Sequence, residues 1–216
     1  MAVSPQNIAD IRKDYQLAAL DEKTVGDDPF AFFHKWFAEA QISHADEVNA
    51  MALATVNAMG IPHARIVLLK GLDEKGFVFF TNYHSVKGQD ISENPHVSLV
   101  FFWKELERQV CIEGVAEKVS AEESDAYFAS RPEGSRLGAW ASPQSQQIPG
   151  RAVLDENYSK YQQEFGSDIP RPLHWGGYRV IPTQIEFWQG RTSRMHDRIF
   201  FTLDAENNWQ KSRLAP

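Results

Sequence analysis

The chain has 216 residues, 43% of them hydrophobic, which suits one domain or a domain with appendages and supplies a sizeable core. Lys and Arg number 22 against 29 Asp and Glu, a net charge of −7, which excludes the broad basic surface used in nonspecific nucleic-acid binding. The single cysteine, Cys111, excludes an intramolecular disulfide and a cysteine metal cluster and fits a reducing, cytoplasmic setting. Met1 to Tyr15 lacks an apolar signal core, and nowhere do about 18 apolar residues run together, so neither secretion signal nor membrane span is expected.

In chain order, Ile8, Ile11, Tyr15 and Leu17 fall near helical spacing among many charges, which predicts an exposed helix or mobile arm over residues 7–20. Phe30, Phe33, Trp36, Phe37 and Ala40 then follow a 3.6-residue period behind Asp28 as N-cap and Pro29 at the first helical position. The texture changes to β-rich runs at 50–56, 64–69, 76–81, 97–103 and 108–119, punctuated by Met59-Gly60, Asp73-Glu74-Lys75-Gly76 and Asn94-Pro95. A short helix is expected over 85–93. Ser120, followed by Glu122 and Glu123, caps another that ends near Arg131-Pro132. A second short helix is expected around 135–141 and a further one over 151–165. Final strands are expected at 175–180, 184–188, 198–203 and 209–214, with Asn207-Asn208 as a hairpin turn. The expectation is a mainly β chain with α, an antiparallel barrel decorated by helices, in which residues 1–25 form an arm and 26–216 a single domain.

Residues that can carry chemistry are concentrated late. In Arg194-Met195-His196-Asp197-Arg198 a strand period would turn Arg194, His196 and Arg198 to one side, where guanidinium donors and a titratable imidazole suit an anionic or electron-rich ligand. By spacing alone the run reads equally as a solvated charged hairpin. Arg65 to Lys70 is an apolar strand with a cation at each end, a pattern that simple core strands also show. Ser85-Val86-Lys87 opens a helix and could offer a hydroxyl, amides and an ammonium to a phosphate. Tyr127, Arg131 and Ser135 gather the donor types that recognise a phosphate monoester, although polar residues that end helices look alike. No Gly-rich phosphate loop is present, and His34, His44, His63, His84, His96 and His174 lack any metal-ligand pattern, so no metal is expected.

Taken in order, R-I-V-L-L-K at 65–70, F-F-T-N at 79–82, L-E-R-Q at 106–109, Y-F-A-S-R-P at 127–132 and G-A-W-A-S at 138–142 resemble the pyridoxamine 5′-phosphate oxidase family. So do Q-S at 144–145, H-W-G-G-Y-R-V at 174–180, I-E-F-W-Q-G at 185–190, R-M-H-D-R at 194–198 and R-L-A-P at 213–216. The resemblance runs from about Phe30 to the C-terminus. It implies an FMN-binding split barrel and a homodimer with noncovalent FMN in clefts between subunits, each site borrowing residues from both chains. The implied reaction oxidises pyridoxamine or pyridoxine 5′-phosphate to pyridoxal 5′-phosphate, with O2 reduced to H2O2. The flavin contacts it implies are Arg65, Ile66, Val67, Leu68, Leu69, Lys70, Phe80, Thr81, Lys87, Gln109, Gln144, Ser145, Trp188 and Arg198. Arg65 and Lys87 would serve the cofactor phosphate. Lys70, Tyr127, Arg131 and Ser135 would surround the substrate phosphate, with Arg194 and His196 at the pyridine ring as the catalytic pair. One departure is Val86, where the family commonly has a basic residue, so one cofactor-phosphate contact is expected to be missing. Lys13, Asp14 and Tyr15, with Arg12, match a short family segment that can close over the site. A phenazine-pathway relative acting on bulkier aromatics is the rival, opposed by the complete phosphate set; a non-catalytic flavin or pyridoxal-phosphate binder is another.

Overall fold

The structure, a computed structural model, describes residues 7–8, 10–11, 13–43 and 45–216. Among them are nine strands: β1 Ala50–Val56, β2 Pro62–Leu68, β3 Gly71–Asp73, β4 Gly76–Asn82, β5 His96–Trp103, β6 Arg108–Lys118, β7 Trp175–Gln189, β8 Asp197–Leu203 and β9 Trp209–Arg213. The helices are α1 Glu22–Val25, α2 Pro29–Ile42, α3 Val86–Glu93, α4 Ala121–Ala129, α5 Glu133–Ala141 and α6 Ala152–Phe165. The strand order is β2-β1-β5-β6-β7-β4-β3, with β8 on β7 and β9 on β8. The chain forms two compact units, one of residues 49–99 and 113–183, the other of 1–48, 100–112 and 184–216.

In the first unit, β1 alternates, burying Met51, Leu53 and Thr55, and pairs antiparallel with β2 so that Leu53 faces Arg65 and Thr55 faces His63. β4 is buried almost throughout, with Phe77, Val78 and Phe79 nearly inaccessible, and pairs antiparallel with β7. Ser85 caps α3 by accepting from the Gly88 amide, and Ser120 caps α4 through the Glu123 amide. Phe128, Leu137, Ile169 and Trp175 make a core cluster under α4, α5 and α6.

In the second unit, Asp28 caps α2 through the amides of Phe30 and Ala31, with Pro29 in the first turn. The buried face of α2 is aromatic. Phe32 meets Phe187 edge-on at 4.8 Å and Phe33 meets Phe101 at 5.1 Å.

Three expectations change. Residues 13–20 form no helix, because their amides bond elsewhere: those of Gln16 and Leu17 donate to Glu107 and that of Leu20 to Asp197. Residues 9 and 12 of that stretch, and His44, lie outside the described residues. The strands expected at 175–180 and 184–188 are one strand that continues through Pro182. Gly114 makes this possible, since a Cβ there would lie 2.2 Å from the Ile181 carbonyl oxygen. The short strand β3 was not expected.

Candidate active site

A cavity of about 480 Å³ opens in the first unit between β2, β4 and the helices α4 and α5. Its floor is a stack of rings: Phe80 lies 3.9 Å from Tyr127 and 5.6 Å from Trp175, with interplanar angles of 20° and 13°. Strand register makes the stack possible. Phe80 sits opposite Gly177, where a Cβ would come within 2.8 Å of the Phe80 ring and 2.7 Å of Val119. Tyr127 and Arg131 stand four residues apart, so the α4 turn and its end bring both to one side. The Arg131 guanidinium lies over Trp175 at 4.5 Å.

The cavity is cationic and lacks an internal counter-charge. Arg131 Nη1 is buried without a hydrogen-bond partner among the described residues, and no carboxylate stands in the cavity lining. Burial pulls the Arg131 guanidinium below its ordinary range, against the opposing influence of the Tyr127 phenol, and burial raises that phenol. Lys87, at the start of α3, reaches only the Ser85 hydroxyl at 3.5 Å; burial first, then the nearby Arg65, lowers its ammonium. A half-buried cation without a partner is costly, and an anion entering the cavity removes that cost. Ser135, Gln144 and Thr81 add neutral donors at the wall. This donor set, two desolvated cations with hydroxyls, an amide and a stacked aromatic floor, fits a phosphate ester carrying a planar ring.

Arg65 is not part of the cavity lining, although its charge is felt by Lys87 there. Its Nη1 donates to the Leu53 carbonyl at 3.2 Å and the Thr55 hydroxyl at 2.7 Å, while Nη2 stands 3.8 Å from the buried Asp90 carboxylate. Asp90 also accepts from Thr55 Oγ1 at 2.6 Å and contacts His63 Nδ1 at 2.9 Å.

The second unit holds a cavity of about 560 Å³ lined by Lys13, Asp14, Tyr15, Arg191, Ser193, Arg194 and His196. The Arg191 amide donates to His196 Nδ1 at 3.1 Å, so a neutral His196 carries its proton on Nε2. Trp188 packs 4.6 Å from the His196 ring. Arg194 does not follow a strand period with His196 and Arg198, because Ser193 and Arg194 both take left-handed backbone angles, φ 55 and 61, in a short turn. Arg198 is already satisfied: Nε and Nη2 make a two-point contact with Glu186 at 2.7 and 2.8 Å, and Nη1 donates to the Ala215 carbonyl.

Comparison with known proteins places this geometry. Residues 38–164 match the model of the pyridoxamine 5′-phosphate oxidase family, and residues 175–216 match that of the pyridoxine 5′-phosphate oxidase C-terminal dimerisation region. The chain belongs to the pyridoxamine 5′-phosphate oxidase family. It is 58% identical over 209 residues to the pyridoxine/pyridoxamine 5′-phosphate oxidase of Cupriavidus pinatubonensis, covering 97% of this chain and 99% of that one. A namesake from Burkholderia multivorans is 57% identical over 211 residues, with the same coverage. Among solved structures, PhzG from Burkholderia lata in complex with tetrahydrophenazine-1-carboxylic acid superposes with a TM-score of 0.87 at 28% identity, covering 93% of this chain and all of that one. An FMN-binding, pyridoxamine 5′-phosphate oxidase-related protein from Nostoc punctiforme gives 0.71 at 16% identity, over 88% of this chain and 98% of that one, a likeness of fold. The expected split β-barrel with helices is therefore the fold, and the chain is an oxidoreductase.

Within this family member the first cavity gathers Ile66, Val67, Leu68, Lys70, Phe80, Thr81, Lys87, Tyr127, Arg131, Ser135 and Gln144 from the residues singled out in the sequence. Leu69 is buried in the core, Arg65 faces Asp90, and Ser145, with a left-handed backbone angle, stands outside the lining. In the second unit Arg194 and His196 share a cavity, Gln109 donates to Cys111 Sγ at 3.3 Å, and Trp188 reaches the site through His196. Sequence reasoning passed over Asn82, Gly138, Ser142 and Trp175 as lining residues. The signal for Trp175 was the Gly176-Gly177 pair beside it, since adjacent glycines in a strand mark close approach of other groups.

Proposed function

We propose that this chain oxidises pyridoxamine 5′-phosphate and pyridoxine 5′-phosphate to pyridoxal 5′-phosphate, with O2 as the electron acceptor and H2O2 as product. The cofactor is FMN, which supplies the chemistry of accepting a hydride from the substrate C4′ carbon and passing the electrons to dioxygen. The observation that carries the reading is Arg131: a desolvated guanidinium on an aromatic floor, with no anion among the described residues to neutralise it. Arg131, Lys70, Tyr127 and Ser135 bind the substrate phosphate, and Lys87 with Arg65 holds the cofactor phosphate in the absence of a cation at Val86. Phe80, Thr81, Gln144 and the strand 65–70 line the cofactor, joined by Gln109, Trp188, Ser145 and Arg198, the last arriving as half of an ion pair with Glu186.

Arg194 covers the substrate ring and stabilises charge that develops on it. His196, held as the Nε2–H tautomer by the Arg191 amide, donates to a ring substituent and orients the ring. The protein works as a homodimer, as the match to a dimerisation region supports, and each site draws on both chains. No helix among the described residues is long and apolar enough to cross a membrane; with the single cysteine, this supports a cytoplasmic place.

A second reading, oxidation of a bulkier aromatic carboxylate, has the likeness to PhzG in its favour. Anaerobic mixing of the FMN-loaded protein with pyridoxamine 5′-phosphate separates the two. Bleaching of the flavin band, followed by recovery on admitting oxygen, is expected. Bleaching by a phenazine precursor but not by the phosphate ester would favour the second reading.

A further inference from the structure

Glu107 is a carboxylate that the proposed reaction leaves unused, yet it is 2% exposed. It follows the 3-10 turn Lys104–Leu106 in a left-handed conformation, φ 55, immediately before β6. Its Oε2 accepts the backbone N–H groups of Gln16 at 2.9 Å and Leu17 at 3.1 Å, and its Oε1 lies 3.2 Å from Lys13 Nζ. Its own carbonyl accepts from the Gly190 amide at 2.8 Å and from Gln189 Nε2 at 3.2 Å. One residue therefore ties the strap 13–17 to the end of β7, where the segment leading to His196 begins. Burial opposes charge on Glu107, but the Leu17 amide, the Lys13 ammonium and the Gln16 amide outweigh it and hold the carboxyl below its usual range.

The strap carries Tyr15 to the substrate-ring cavity. The Tyr15 ring lies 5.8 Å edge-on to Trp188 and 6.0 Å from His196. Only a residue without a side chain fits beneath it, since a Cβ on Gly190 would stand 2.7 Å from the Tyr15 ring. Asp14 adds a second tie by accepting the Ser193 amide at 3.2 Å.

We infer that Glu107 is a positioning residue for the substrate-ring cavity: it holds residues 13–17 so that Tyr15 packs against His196 and Trp188 and closes one wall around Arg194 and His196. This rests on the substrate-ring reading of Arg194 and His196 given above. Glu107→Gln leaves one acceptor oxygen in place of two, so the side chain cannot accept the Gln16 and Leu17 amides and also receive Lys13, and it removes the charge that strengthens all three contacts.

The test uses the full-length, FMN-loaded protein. In Glu107→Gln, amide hydrogen exchange at Gln16 and Leu17 should rise by about tenfold or more, and trypsin should cut faster after Lys13. The KM for pyridoxine 5′-phosphate should rise about tenfold with kcat within about threefold, and Glu107→Asp should recover part of the loss. Tyr15→Ala should raise KM comparably, and the double variant should be no worse than Tyr15→Ala, because both changes remove one interaction. Should Glu107→Gln fail to fold, Leu17→Pro, which deletes one of the amide donors from an exposed position, carries the same test. An unchanged KM, or effects that multiply in the double variant, overturns the positioning role. If the unaltered protein does not turn over pyridoxine 5′-phosphate, the substrate reading fails instead, and exchange and trypsin sensitivity still decide whether Glu107 holds the strap.

Discussion

Replacing Arg131 by alanine probes the cavity where the structure is most specific. Arg131 Nη1 is buried without a hydrogen-bond partner among the described residues and the guanidinium stacks on Trp175 at 4.5 Å, so what its charge finds among those residues is a ring face and no carboxylate. A hydrogen bond to a charged group contributes about 1.5–3 kcal/mol. At about 1.4 kcal/mol per factor of ten, losing one phosphate contact of that kind predicts a KM for pyridoxine 5′-phosphate raised roughly 10- to 100-fold. The contact is made in ground state and transition state alike, so kcat should stay within about threefold. Folding should suffer little: the lost cation–π contact, about 0.5–1 kcal/mol, is offset by removal of an unpaired half-buried charge. The assay is steady-state turnover of pyridoxine 5′-phosphate beside unphosphorylated pyridoxine, with thermal melting of the ligand-free protein. An unchanged KM for the phosphate ester, or an equal loss with both substrates, would refute the phosphate-pocket reasoning.

The ring assignment predicts a different signature for Arg194→Ala and His196→Ala: kcat should fall roughly 10- to 100-fold with a smaller change in KM, and unchanged turnover in both variants would discard it. Asp90 gives a stability prediction with a definite sign. Burial works to raise its carboxyl, but the hydrogen bonds from Thr55 and His63 and the charge of Arg65 bring it below the ordinary value. A depressed carboxylate stabilises the fold above its unfolded pKa, and that contribution is lost as pH falls through the folded pKa. Asp90→Asn should therefore cost about 1–3 kcal/mol in denaturant unfolding at pH 7. The deficit should hold down to about pH 5 and shrink below about pH 4; a deficit that is the same at every pH would contradict the charged role.

Much of the fold was legible because its signals are local. Asp28-Pro29, Ser85 and Ser120 act on amides two or three residues away, and each starts a helix where expected. Alternation in β1 likewise needs only the pleat of its own backbone. Of the two readings of 7–20, exposed helix or mobile arm, the helix does not extend over 13–20 for the opposite reason: periodic spacing was present, but Glu107 and Asp197, some 90 and 177 residues distant, claim amides a helix would have used. The break expected near Pro182 failed because Gly114, on another strand, lets β7 run past it. For the site, the ordered motifs marked the residues of the cationic cavity but not their partners.

The amino-acid sequence by itself determined the family, the helix starts and the residue types available to grip a phosphate ester, since composition, caps and motif order are properties of short stretches. Which of those residues line a cavity was decided by tertiary structure alone. Strand register sets Phe80 over Gly177 and turns Arg65 to Thr55 and Asp90, while two left-handed residues in a turn take Arg194 out of the strand period that His196 and Arg198 suggested. The pairing of Arg198 with Glu186 and the hold of Glu107 on the strap have the same origin. Each joins residues brought together only when the sheet closes its hydrogen bonds and the aromatic core packs, so no local pattern encodes it.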